Sequence, residues 1–110
     1  MKITQLEQGD LFRVSRTMPI LGVTTRMGKV IKGANLLAGT AYLVVRKVET
    51  TCLTGDRLEI EIMPINSPGQ PVTVVDQNEV MIIKRFKGGF SWNNDFNVEF
   101  IEKWRPAFVR

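Results

Sequence analysis

The residues in this chain with the most chemical potential are cations. Between Asp10 and Glu49 there is no acidic residue, yet the interval holds seven basic ones: Arg13, Arg16, Arg26, Lys29, Lys32, Arg46 and Lys47. Apart from Glu7, Asp10 and Glu49, every acid lies from Asp56 onward. One half of the chain should therefore project a positive field. Such a surface attracts phosphates, and each phosphate it neutralises releases condensed counterions. A second cluster, Lys84-Arg85-Phe86-Lys87-Gly88-Gly89-Phe90-Ser91-Trp92-Asn93-Asn94, alternates cations with aromatics around a Gly-Gly pair. In a single-strand binder, aromatics of this kind stack on bases while the cations follow the backbone. The same spacing suits hairpin side chains packing into a core, which is the expectation for Phe86 and Phe90. Trp92, beside two asparagines, stands evenly between the two readings.

Other chemistries are narrowed by what is missing. The chain has no histidine and a single cysteine, Cys52. Histidine-based triads and zinc sites built from Cys and His are therefore ruled out. No intrachain disulfide can form, which fits a reducing compartment. Cys52 itself reads as a structural or surface thiol. Gly28 and Gly33 have the glycine spacing of a phosphate loop, but Ala34-Asn35 stands where the phosphate-gripping Lys-Ser/Thr pair is required. Asp10, Asp56 and Asp76 sit in turn sequences, where Asp bonds to nearby backbone. A carboxylate-only metal enzyme is the one catalytic class left, and the acids are too scattered to favour it. The expectation is no catalytic residue, no cofactor and no metal.

The elements that must position these groups are strands. At 110 residues, 44% of them hydrophobic, the chain suits one small domain over 1–110 with a single core. No stretch approaches the ~20 apolar residues of a membrane span, and no secretory leader opens the sequence, so a cytoplasmic protein is expected. Arg57-Leu58-Glu59-Ile60-Glu61-Ile62 alternates cleanly, with Leu58, Ile60 and Ile62 inward and the charges in water. Pro64 then ends that strand or puts it at an edge. Residues 11–16 alternate too, with Phe12 and Val14 on one face. Residues 40–48 read as a longer, more buried strand, and 72–75 and 79–86 as two more. Thr54-Gly55-Asp56 and Lys87-Gly88-Gly89 suit hairpin tips, and 67–71 and 76–78 suit breaks. Residues 17–39 read as a loop around a strand at 29–32. At the C-terminus Phe96, Val98 and Phe100 alternate, while Phe96, Phe100, Ile101 and Trp104 suit one helix face. A short helix, capped within 93–95 and stopped before Pro106, is the favoured expectation. The whole reads as mainly β, a small barrel or sandwich of five to six strands.

The opening Leu6-Glu7-Gln8-Gly9-Asp10-Leu11-Phe12-Arg13-Val14 resembles that of SH3-like small barrels, including the KOW type, in which a Leu-x-x-Gly-Asp turn feeds an alternating strand. Gly28-Lys29-Val30-Ile31 is similar to the second strand of such a motif. The resemblance implies an SH3-like barrel and a partner among RNA, DNA or the transcription and translation machinery.

Two binding readings follow. In the first, strands 11–16, 29–32 and 40–48 are neighbours and Arg13, Lys29 and Arg46 converge on a basic face that holds DNA or RNA. Arg16, Arg26, Lys32 and Lys47 would extend that face, and Lys84, Arg85, Lys87 and Trp92 would form a second site. The bland counterpart has Arg57, Glu59 and Glu61 facing the 40–48 strand as cross-strand ion pairs. In the second reading, the chain is a protein-interaction module or inhibitor of the phage-accessory type, docking on a larger enzyme through Trp92, Trp104 or Phe108. Assembly through exposed strand edges is a third route.

Overall fold

A strand presents two faces, and whether one or both are buried decides how its sequence reads. The computed structural model describes residues 1–20, 23–25, 28–65 and 80–103. Among them are ten strands: β1 Asp10–Arg13, β2 Met18–Pro19, β3 Val23–Thr25, β4 Val30–Ile31, β5 Asn35–Leu36, β6 Ala41–Cys52, β7 Gly55–Ile65, β8 Met81–Gly88, β9 Ser91–Trp92 and β10 Glu99–Lys103. Only β1, β6, β7, β8 and β10 exceed three residues, so the mainly β architecture with about five principal strands holds. The large sheet is antiparallel, in the order β10-β1-β6-β7-β8-β3-β4, with β9 pairing the end of β8. Strands β2 and β5 pair separately. None of the described residues forms a helix long and apolar enough to cross a membrane.

The β6–β7 hairpin is the spine of the sheet. It pairs from Ala41↔Ile65 to Cys52↔Gly55, and Gly55 at its tip takes φ 120°, a backbone that glycine adopts without steric penalty. Tyr42, Val44, Leu58, Ile60 and Ile62 point into the main core with Phe12, Val14, Ile83 and Val98. Phe12 and Tyr42, paired in register, stack with ring centroids 5.6 Å apart. At one end of the hairpin the opposite face is buried as well, by Leu11, Leu43, Met63, Ile65 and Val80. Burial on both faces is why 41–45 reads as an unbroken apolar run.

Val44 faces Ile62 and Arg46 faces Glu61, so Val45 is an extra residue in β6. Such a bulge inverts the facing of every later side chain relative to simple alternation. Lys47, not Arg46, therefore shares the inner side with Val44. Its ammonium donates to the Thr4 carbonyl at 2.8 Å.

Several expectations need correction. The C-terminal segment is strand β10, not a helix. It pairs with β1, Arg13↔Glu99 and Phe12↔Phe100, because β1 needs a partner on its outer edge. Phe96 and Val98 precede the strand and pack on the main core, Phe100 within it is half-exposed, and Asn94 takes a left-handed turn at φ 56° instead of capping a helix. Strand β7 runs through Pro64, opposite Tyr42. Its pairing with β8 stops at Ile62↔Met81, so Pro64 has only one strand neighbour among the described residues and its missing N–H costs no ladder bond there. Glu61 is not in water: it is 8% exposed. The expected loop at 17–39 is mostly paired chain, with β2–β5 and β3–β4 as successive pieces of one antiparallel ribbon. The strand at 72–75 and the breaks at 67–71 and 76–78 lie outside the described residues.

Deep burial and alternation together set an expected contrast along β7. In urea unfolding, Ile60→Ala lowers stability by about 2–5 kcal/mol. Glu59→Ala, one residue away on the exposed face, stays within about 0.5 kcal/mol.

Candidate nucleic-acid interface

The seven early cations do not form one face. Strands β1 and β6 are neighbours, but β4 lies at the far end of the strand order, with β7, β8 and β3 between it and β6. The expected convergence of Arg13, Lys29 and Arg46 therefore fails. Sequence shows which residues are charged, whereas strand order decides which of them meet. Arg13 donates its Nε–H to Glu99 Oε2 at 2.7 Å, with both side chains about half exposed. Arg46 stands opposite Glu61 in register and is exposed. Lys47 is largely covered and lies 3.9 Å from Glu7.

The remaining cations behave differently. Arg16, Lys29 and Lys32 are exposed, and none forms an ion pair among the described residues. They share the ribbon of residues 16–38. Its base is tied by Met18↔Leu36 and by the Ala38 N–H donating to Thr17 Oγ1 at 3.1 Å. Ile20 N–H donates to the Ala34 carbonyl, and Val23↔Ile31 and Thr24↔Val30 continue the pairing towards the tip. At the tip, Thr25 N–H donates to the Lys29 carbonyl and Gly28 N–H to the Thr25 carbonyl, both at 2.9 Å. Gly28 has φ 82°, which suits glycine in so tight a reversal. Arg26 lies outside the described residues. Because no acid occurs from residue 11 to 48, the ribbon contains nothing to neutralise its own charge, and its field reaches solvent.

The aromatic cluster is divided by its strand. In β8, Ile83 and Arg85 face inward, and Lys84 and Phe86 face outward beside Glu59 and Arg57 of β7. Arg85 is only 3% exposed. Its guanidinium lies over the Phe96 ring at 5.7 Å and donates to the Lys84 carbonyl at 2.9 Å. Burial pushes its pKa below the usual arginine value, and the Asp95 carboxylate opposes that shift. Arg85 thus serves the interior and is withdrawn from any solvent partner. Lys87 lies 3.9 Å from Asp56 and 5.6 Å from the Trp92 ring centroid.

Trp92 is half-buried against the main core. Phe86 is half-exposed, with Arg57 over its ring at 5.7 Å. Phe90 is 100% exposed. It follows Gly89 in the two-residue loop between β8 and β9, where Gly89 has φ 66°, as two-residue hairpins require at that position. The core role expected for Phe86 and Phe90 is overturned, for Phe86 because it falls on the outward side of β8. For Phe90, a two-residue loop leaves no room to fold the ring back, whatever its hydrophobicity. Lys2, which the sequence did not single out, is a further exposed cation near this loop. The pairing of Lys2 with Asn97 brings it there, across a sequence distance that no local signal reveals. Trp104 and Phe108 lie outside the described residues.

Comparison of the chain with protein-family models, with curated proteins and with solved structures finds no match.

The division within the aromatic cluster has a measurable counterpart. Arg85→Ala costs on the order of 2–5 kcal/mol of stability, because it removes a 3% exposed side chain packed over the Phe96 ring and leaves a cavity there. Lys84→Ala, on the outer face, changes urea stability by no more than about 0.5 kcal/mol.

Proposed function

We propose that this protein binds nucleic acid without catalysis, holding phosphates with the cations of ribbon 16–38. The supporting observation is that Arg16, Lys29 and Lys32 stand exposed on an acid-free ribbon with no carboxylate paired to any of them among the described residues. Two-stranded ribbons fit nucleic-acid grooves, and Lys and Arg dominate backbone contacts. The resemblance of the opening to SH3-like and KOW-type barrels adds to this reading and suggests transcription or other DNA-associated machinery as the setting. A cytoplasmic location accords with the unpaired thiol of Cys52.

A second reading has its own observation. Leu53 and Phe90 are both fully exposed, on the β6–β7 and β8–β9 tips that lie side by side at one end of the sheet, where β7 pairs with β8. Exposed apolar anchors of this kind suit a protein partner, as expected for a small accessory module.

Salt separates the two. Nucleic-acid affinity falls steeply as salt rises, and replacing Arg16, Lys29 and Lys32 together with Gln reduces the slope of log affinity against log salt by about 3, close to one per phosphate contact. Fluorescence anisotropy with a labelled duplex and a labelled single strand measures it. Absence of binding at ~50 mM salt removes the nucleic-acid reading. A protein complex that survives high salt and nuclease supports the other.

A further inference from the structure

Two shallow depressions meet on the surface beside the N-terminus. One, of about 540 Å³, has Phe90, Ser91 and Trp92 at its rim. The other, of about 360 Å³, reaches Arg16 at the base of the ribbon. Lys2 and Asp95 line both, so the two lie side by side and make up one two-part trough around those residues. It runs from the fully exposed Phe90 ring past the Lys2 ammonium to the Arg16 guanidinium, neither of which forms an ion pair among the described residues.

We infer that this trough is a single-strand nucleic-acid site, in which Phe90 stacks on an unpaired base and Lys2 and Arg16 hold the neighbouring phosphates. The inference rests on the nucleic-acid reading above and specifies the form of ligand. A π-face is available for stacking only where a base has left its duplex, and every base has one, so an exposed ring recognises single strands without reading their sequence. Each depression falls in the size range of pockets that hold one small molecule, room for a splayed-out base with its sugar. The two exposed cations that line it, Lys2 and Arg16, supply the backbone term.

Asp95 is the one acid among the described residues that line the trough, and its charge is turned inward. Its carboxylate accepts the Thr4 hydroxyl at 2.6 Å and the Thr4 N–H at 3.3 Å, and the buried Arg85 guanidinium is close enough to feel its charge. What it adds to the surface is therefore muted, and the net field at the trough stays positive. The same Asp95–Thr4 contacts, with Ile3 N–H donating to the Phe96 carbonyl and Val98 N–H to the Met1 carbonyl, hold the N-terminal segment in place. They hold Lys2 there with it.

The test compares binding of a labelled oligothymidylate of about 12 nucleotides, a length within the site sizes of small single-strand binders, with a duplex of equal length. Phe90 is fully exposed, so Phe90→Ala leaves folding intact. It weakens single-strand binding about ten-fold and leaves duplex binding unchanged, while Phe90→Trp restores the single-strand affinity. Lys2→Gln lowers the salt slope on the single strand by about one. If Phe90→Ala binds the single strand as the parent does, the inference is wrong while the ribbon reading stands, provided both oligonucleotides still bind. If neither binds at low salt, the nucleic-acid reading itself has failed and this one with it.

Discussion

The arrangement of the whole molecule depends on a long β6–β7 hairpin that changes character halfway along. From Ala41 to Val44, opposite Ile62 to Ile65, both faces of the sheet are covered. Beyond the bulge at Val45 one face alone is fully covered, and Arg46, Val48, Glu59 and Lys84 line the other. A ladder of main-chain bonds tolerates one extra residue at modest cost, but that residue exchanges the two faces for all that follow. The exchange puts Lys47 on the inner side, against the N-terminal segment, and Arg46 opposite Glu61. Lys47 thereby gains the Thr4 carbonyl as a local partner and is largely withdrawn from the surface, while Arg46 stays on the outer face.

The same competition between neutralisation and exposure runs through the molecule. Arg13 meets Glu99 because β10 covers the outer edge of β1. Lys103 meets Asp10 for the same reason, and Asp10 in turn accepts the Glu7 N–H at 2.7 Å, the local backbone bond for which Asp is favoured in turns. The pairing of β1 with β10 thus brings opposite charges from the two ends of the described chain together. The described cations of the ribbon 16–38 escape this, since its neighbour β8 offers it Ile82 and Ile83 and no carboxylate. Exposed ion pairs such as Arg13–Glu99 contribute little to stability. Their main effect is on the field, which they remove from the sheet and leave on the ribbon.

Within the proposed site, position follows from contacts far apart in sequence. Asp95 and Thr4 join the two ends of the described chain, and that joint sets Lys2 beside the β8–β9 loop. Phe90 and Trp92 are two residues apart and chemically alike, yet one is wholly in solvent and the other leans on the core. The difference is local geometry. Trp92 is a paired strand residue opposite Lys87, and Phe90 is at the turn.

What the sequence determined by itself was whatever depends on short-range pattern. Alternation over 57–62, the apolar run at 41–45 and the Gly-containing tips at 55 and 88–89 each encode their own structure, because a strand's period and a turn's backbone are properties of a few adjacent residues. The absence of histidine likewise narrowed the chemistry without any coordinates. Tertiary structure decided the rest. It resolved 99–103 into a strand, because an edge of β1 stood waiting for a partner, and paired much of 17–39 as a ribbon whose pairs are too short to show as periodicity. It also sorted the cations, since whether an arginine meets a carboxylate is set by strand order, and strand order is a long-range property that no local pattern carries.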